Sequence, residues 1–377
     1  MTGPVSPTTS TRWPVVDGIP FQRFGREELA AAVLAALEDG RPEEARALLL
    51  RDADDWWDEE PPALAEASAA AQAATLSQAV QHLRLGRVGD YLRYRWSDPA
   101  FLAGLALLRR AWPGAGPGGL PVVEVAAGTG VLLRELALRG VERLTGVDVV
   151  HAKLWLARRF VLAGMPPAAD VRLVVADAAR PWPPALAPRL QAEADRVVVC
   201  HDAFYFLPDP PVTAARLRAL AGTGGCVVVG AVPNGLLPRR GGGARLSPQD
   251  LLDLFPGAVL HDDAELAAEV TTGTPAPART ADELTAAVTV SAVVVGPDWR
   301  ARSGAPDLGL PLPGRSLRPN PLYGDDGVLR WPSPRYAADY AARCGYLPPR
   351  LPAAADLTAD PVTWARRRVL LDLPEHW

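Results

Sequence analysis

The chain has 377 residues, 49 % of them hydrophobic, and a formal charge of −4, with 43 acidic residues against 39 basic ones. It is long enough to bury a substantial core, and its acidic balance offers no general attraction to phosphate backbones, which removes nucleic acid as the default partner. No apolar stretch reaches the ~18 residues of a membrane span and no charged-then-apolar leader opens the sequence, which gives the expectation of a cytoplasmic protein without a membrane partner.

Three widely spaced cysteines, Cys200, Cys226 and Cys344, carry no C-x-x-C pair and no histidine-rich neighbour, so neither a disulfide framework nor a metal site is expected. Cys200 and Cys226 lie in the apolar runs VVVC and CVVVG and read as small buried hydrophobes in strands. Lys153 is the only lysine, a bias that reads as codon usage in a GC-rich genome.

Residues 1–12 are rich in Pro, Ser and Thr and are expected to be disordered. WPVVDGIPF then predicts a short strand and a tight turn around Asp17 and Gly18. Apolar residues fall at helical spacing from Arg26 to about Leu50, the acidic run DADDWWDEEPP reads as a solvated loop, and 63–110 reads as two or three further helices. The whole of 13–112 is expected to be a mainly helical N-terminal cap, ended by the linker WPGAGPGG.

Beyond the linker, strands and helices alternate. PVVEVAA, RLTGVDV, VRLVVAD, DRVVVCHD and GCVVVGAV read as strands, and VLLRELALRG, HAKLWLARRFVLAG and TAARLRALA as helices between them. β-Branched runs alternating with amphipathic helices predict an α/β, doubly wound, mostly parallel sheet covered on both faces. SPQDLLDLF reads as a helix and AVTVSAVVVG as a strand, which carries this unit over 118–296. The remainder, 297–377, is rich in Pro, Gly and Arg up to 334, then carries the capped helix SPRYAADYAARCGYL and a helix or strand in VTWARRRVLLDL; it is expected to be a C-terminal extension or lid.

The stretch VVEVAAGTGVLLREL, 122–136, is the first strand-to-helix turn of this unit, where open parallel sheets bind ligands. Gly128 and Gly130 let backbone approach a ligand closely, and the free amides of the next helix favour a negative group. A dinucleotide fingerprint would place a third glycine where Leu133 stands, so that fingerprint is broken. Glu124 lies inside the strand, where a buried carboxylate needs a partner such as a cationic amine. Asp148 ends the second strand at a place where an acid accepts two ribose hydroxyls, with Val149 beside it. Asp177 and Ala178 end the third strand, suited to an exocyclic amine and a ring nitrogen. Each acid also has a purely structural reading, Glu124 as an arginine partner and the two aspartates as helix caps.

This ordered set, E-x-A-x-G-x-G followed by acids after the second and third strands, resembles the class I S-adenosylmethionine-dependent methyltransferases over roughly residues 120–235. The resemblance implies a Rossmann-like methyltransferase sheet with S-adenosyl-L-methionine as cofactor: Glu124, Ala126, Gly128 and Gly130 around its methionine part, Asp148 and Val149 at the ribose, Asp177 and Ala178 at the adenine. Ala126 stands where glycine is more usual. VVVCHDAFYFLPDP resembles the family's fourth motif, whose loop passes the reactive methyl group, and implies that His201 lies at the cofactor. Helices before the first strand close over the cofactor in this family, which makes Tyr91 and Tyr94 of GRVGDYLRYRWSD candidates for its carboxylate, although an aromatic stripe also reads as core. WPVVDGIPF resembles the end of a zinc-ribbon-like segment found before some bacterial methyltransferase domains, but without a cysteine pair no metal is carried over.

His201, with Asp202 to orient it, is the candidate general base, needed only if the acceptor must lose a proton; a strand-end cap is the alternative. His151 is expected near the nucleoside, at the pocket wall or the helix start. Phe204, Tyr205 and Phe206 either wall the acceptor pocket or pack beneath it. RRGGGAR, 239–245, reads as a mobile loop near the acceptor rather than an RNA-binding tail. The expected activity is methyl transfer to a small-molecule acceptor, with a specialised metabolite reached by elimination. A nicotinamide-dependent oxidoreductase and a non-catalytic methyltransferase-like binding protein are the rivals, and the oligomeric state is open.

Overall fold

The computed structural model describes residues 12–53, 60–178, 180, 195–238, 242–300 and 304–377. Residues 1–11 of the expected disordered start, the centre of the acidic loop and 239–241 of the RRGGGAR loop lie outside the described residues. Among those described, no helix is long and apolar enough to cross a membrane.

The chain opens with a hairpin of β1 (Val15–Val16) and β2 (Ile19–Gln22), turned by Asp17 and Gly18 at φ 51 and 73°. Six helices follow: α1 (Glu27–Glu38), α2 (Pro42–Leu50), α3 (Leu64–Gln72), α4 (Leu76–His82), α5 (Gly86–Tyr94) and α6 (Pro99–Arg110). Pro42 breaks the long helical run expected over 26–50, because a proline is tolerated in the first turn of a helix but not in its interior. Asp98 starts α6 by accepting the Phe101 amide at 2.7 Å. Every residue from Pro99 to Leu108 is buried, as expected of a helix apolar on all sides, because α6 lies between β7 and α11.

The alternating unit supplies β3 (Val122–Val125), α7 (Val131–Leu138), β4 (Arg143–Asp148), α8 (His151–Leu156), β5 (Asp170–Ala176), β6 (Val197–His201), α9 (Pro210–Ala221), β7 (Cys226–Pro233), α10 (Pro248–Leu254), β8 (Val259–Asp262), α11 (Asp263–Thr272) and β9 (Thr289–Val295). Its strands and the N-terminal hairpin form one sheet in the order β1-β2-β5-β4-β3-β6-β7-β9-β8. Strands β2 to β7 run parallel, and β9 is antiparallel to both of its neighbours. This is the doubly wound, mostly parallel sheet that the alternation predicts. Two features exceed that reading: β2 joins the sheet beside β5, and the short β8 forms its far edge.

Strand order reverses at β3, which has β4 on one side and β6 on the other. The crevice beyond the carboxyl ends of these strands is where such sheets place ligands. Side-chain alternation divides the core: Val122, Val197 and Val199 pack with α1 to α8, while Val123, Val125, Val198 and Cys200 pack with α9 and α10 on the other face. Cys200 and Cys226 are buried free thiols, as their strand setting predicts.

The C-terminal segment carries β10 (Arg318–Pro319) paired with β11 (Leu370–Leu371), and the helices α12 (Pro334–Tyr340), α13 (Ala354–Ala359) and α14 (Pro361–Arg366). The ambiguous VTWARRRVLLDL is thus both a helix and a strand. A small core of its own, built on Tyr323, Tyr336, Tyr340 and Val369, receives Tyr91 and Tyr94 from α5.

Candidate active site

The turn from β3 to α7 runs through three left-handed residues, Ala126, Gly128 and Gly130, at φ 57, 56 and 70°. Two glycines adopt this conformation freely, whereas Ala126 holds it with a Cβ and therefore under strain, a feature that clusters at ligand sites. A Cβ built on Gly128 would meet nothing within 4 Å, so the backbone here borders open space. Asp148 fixes the turn to the end of β4: its two oxygens accept the amides of Gly128 and Val150, each at 2.9 Å. Lys153, the only lysine of the chain, stands 3.8 Å from the same carboxylate. Asp148 therefore has a structural task as well as free lone pairs.

Glu124 is buried beneath this turn, and its Oε2 has no hydrogen-bond partner among the described residues. Burial, helped by the negative charge of Asp148, pushes its carboxyl up to about 8, against the pull of Arg95 and the Leu133 amide. A buried carboxyl that is raised and keeps an orphaned oxygen is chemically suited to a cationic partner.

Arg95, in the single turn between α5 and α6, is the residue that sequence reasoning missed. Its guanidinium donates to Asp202 at 2.9 Å and to Asp98 at 3.1 Å, joining the segment before the sheet to the end of β6. Burial acts against its charge, but Asp98, Asp202 and Tyr340 together hold it well above its ordinary value. Burial raises Asp98 to about 6 despite Arg95 and the Phe101 amide. The only signal in the sequence was an arginine set among the aromatic residues of YRW.

Tyr91 and Tyr94 are placed elsewhere. The Tyr91 ring packs on Tyr336 and Tyr340 with its hydroxyl bonded to Asp339, and Tyr94 packs on Tyr336 and Trp377. Both belong to the interface with the C-terminal segment, and Arg95 of the same stretch is the group that reaches the strand ends.

His201 requires a correction. Alternation along β6 turns it toward α6, on the face of Val197 and Val199, where Nε2 donates to the Ala100 carbonyl at 2.7 Å. The ring fills the gap left by two glycines: a Cβ on Gly104 or Gly230 would lie 3.0 or 2.1 Å from its nitrogens. Burial and the nearby Arg95 lower it to about 4. A sealed imidazole of this kind is a packing residue, not a base facing a cleft. His201→Ala is expected to cost about 2–4 kcal/mol of stability, the range for a large buried side chain and its hydrogen bond. It should leave the shape of any pH–rate profile between pH 6 and 8 unchanged, which denaturant titration and kinetics together would check.

The rest of the fourth-strand loop divides. Phe204 is fully buried with its ring 5.4 Å from that of Phe255, so of its two readings it takes packing beneath the site and not the pocket wall. Tyr205 and Phe206 stack at 4.2 Å, and the Tyr205 hydroxyl donates to Asp202 at 3.1 Å. Asp202, at φ 57°, thus receives both Arg95 and Tyr205. Of the RRGGGAR loop, Ala244 donates its amide to the Tyr205 carbonyl at 2.7 Å. Asp177 directly follows β5 with Arg180 3.5 Å away, and Ala178 packs against the core on the α9 face. Val149 packs on the other face. His151 opens α8, fully buried, and burial lowers it to about 4, so of its two expected positions it takes the helix start.

The broken dinucleotide fingerprint has a physical counterpart. The glycine that lets helix and strand approach stands on the strand, as Gly146, and Leu133 covers it: a Cβ there would lie 2.9 Å from Leu133 Cδ1.

No protein-family model matches the chain, and no curated protein matches its sequence. Among solved structures the chain is similar to phosphoethanolamine N-methyltransferase 2 of Haemonchus contortus in complex with S-adenosyl-L-methionine, at 14 % identity and a TM-score of 0.41 over 59 % of this chain and 60 % of that one. It is also similar to the CcbJ methyltransferase of Streptomyces caelestis, at 18 % identity and a TM-score of 0.38 over 53 % and 90 % of the two chains. A third is magnesium protoporphyrin IX methyltransferase of Synechocystis with bound S-adenosylmethionine, at 15 % identity and a TM-score of 0.34 over 58 % and 83 %. The chain spans about 60 % of the length of the Haemonchus enzyme.

Proposed function

We propose that this chain is an S-adenosylmethionine-dependent methyltransferase acting on a small-molecule acceptor. The observation that carries the reading is Glu124, a buried carboxyl with an orphaned oxygen beneath a left-handed glycine turn. A ligand ammonium would restore its charge, and Arg95, whose field already reaches Glu124, suits the carboxylate of the same amino-acid group. The remaining lone pairs of Asp148 suit the ribose hydroxyls, and Asp177 with Ala178 suits the adenine. Bound there, S-adenosylmethionine supplies a methyl group on a positively charged sulfur that leaves readily.

The work left to the protein is alignment and exclusion of water. With His201 sealed, Asp202 and Tyr205 are the polar groups at the end of β6 that would orient an acceptor. That the charges of Asp98, Asp202 and Arg95 act on the Tyr340 hydroxyl supports reading α12 of the C-terminal extension as a lid over this place. The acidic balance of the chain favours a small acceptor over nucleic acid, in keeping with specialised metabolism in the cytoplasm.

Calorimetry with S-adenosylhomocysteine and with NAD tests this reading. S-adenosylhomocysteine is expected to bind and NAD is not; the reverse would assign the chain to the oxidoreductases, and binding of neither would overturn the cofactor assignment.

A further inference from the structure

Away from the strand ends, a cavity of about 20 Å³ lies where the turn before α6, the helix α7 and the C-terminal segment meet. Its wall includes Trp96, Glu135, Arg139, Leu308, Arg368 and Asp372. Such a volume admits one water molecule or one small ion. The acids of the wall are already matched: Glu135 pairs with Arg134 and Arg139, and Asp372 with Arg134 and Arg315. Arg139 also donates to the Leu310 carbonyl at 3.0 Å.

What remains are donors. Trp96 Nε1 and the Nε and Nη2 of Arg368 are buried with no hydrogen-bond partner among the described residues. Nε and Nη2 form the parallel fork of a guanidinium, the pair that grips a single anion or both oxygens of one carboxylate. Arg368 reaches this position on a strained backbone at φ 59°, its guanidinium 5.9 Å from the Phe101 ring centre. Burial draws its ordinary value down to about 10. Glu135 acts on this guanidinium only through space, and an arginine fork whose N–H groups have no acceptor is costly unless something negative completes it.

We propose that this cavity is a binding site for one small monovalent anion, of halide or formate size, held by the Arg368 fork and the Trp96 indole N–H. The anion pins the C-terminal segment to the N-terminal helices. A water molecule would accept from two of the donors but would bring no negative charge to the fork.

The test is thermal melting of the full chain in sodium chloride, with sodium gluconate, too large for the cavity, holding ionic strength constant. Chloride is expected to raise the melting temperature in a saturable way, by about 3 °C at a hundredfold excess over its Kd. Arg368→Met should abolish the response. Trp96→Phe keeps the fork and removes one donor, so it should shift half-saturation to about tenfold higher chloride, and it preserves the test should Arg368→Met fail to fold. A melting temperature indifferent to chloride, or a chloride response unchanged in the variants, would overturn the proposal.

Discussion

Arg95→Gln is expected to lower the unfolding free energy by about 3–5 kcal/mol at pH 8, and by clearly less at pH 5. The arginine lies between two carboxylates, Asp98 with no exposed side-chain surface and Asp202. Removing it leaves Asp98 as an uncompensated buried charge, and that cost far exceeds what an exposed ion pair is worth. The sign of the pH dependence follows from Asp98, whose folded value of about 6 lies above its ordinary 3.8. Stability therefore falls as pH rises between those values, because the folded state holds its proton longer. Without Arg95 the carboxyl is raised further and the fall continues to higher pH. At pH 5 both proteins keep Asp98 protonated, and the gap between them narrows. Urea titrations at the two pH values would check this; a deficit independent of pH would show that packing, not charge, is what Arg95 supplies.

Glu124→Gln is expected to act with opposite signs on stability and on ligand binding. In the ligand-free protein, burial raises Glu124 from 4.5 to about 8, so its ionisation opposes the fold increasingly as pH climbs through that window. Glutamine removes the penalty and should make the ligand-free protein more stable at pH 8. The same change should weaken S-adenosylmethionine by about 10- to 150-fold, the loss of a hydrogen bond between charged groups. A side chain that merely packs would not separate the two effects in this way. Melting curves and binding isotherms on the same preparation would reveal it.

The sheet was legible because its cause is local. Runs such as VVEV and VVVC, short and rich in β-branched residues, read as strands covered on both faces, and the helices between them fix the strands as parallel. The turn at Gly128 and Gly130, with Asp148 close by, was legible for the same reason: its residues lie within one β-α-β unit. Arg95 was not, because its meaning depends on Asp202, 107 residues away. His201 misled for a related reason. Its position at a strand end suggested chemistry, whereas alternation along β6 sets it on the face of Val197 and Val199, and only the tertiary placement of α6 reveals that this face is sealed. Phe204 was equally ambiguous until α10 brought Phe255 against it. The pairing of Tyr91 with Asp339 spans 248 residues and left no local trace.

On the proposed function, Glu124 receives the ammonium of an amino-acid-bearing nucleoside. Calorimetric titration with S-adenosylmethionine at pH 7, in two buffers of different ionisation enthalpy, tests it most directly. The wild-type protein should bind and release about one proton, because a carboxyl that titrates near 8 is mostly protonated at pH 7 and ionises when the cation arrives. Glu124→Gln should bind more weakly and release none from this site. Absence of binding, or equal affinity and equal proton release in the two proteins, would overturn the assignment of Glu124.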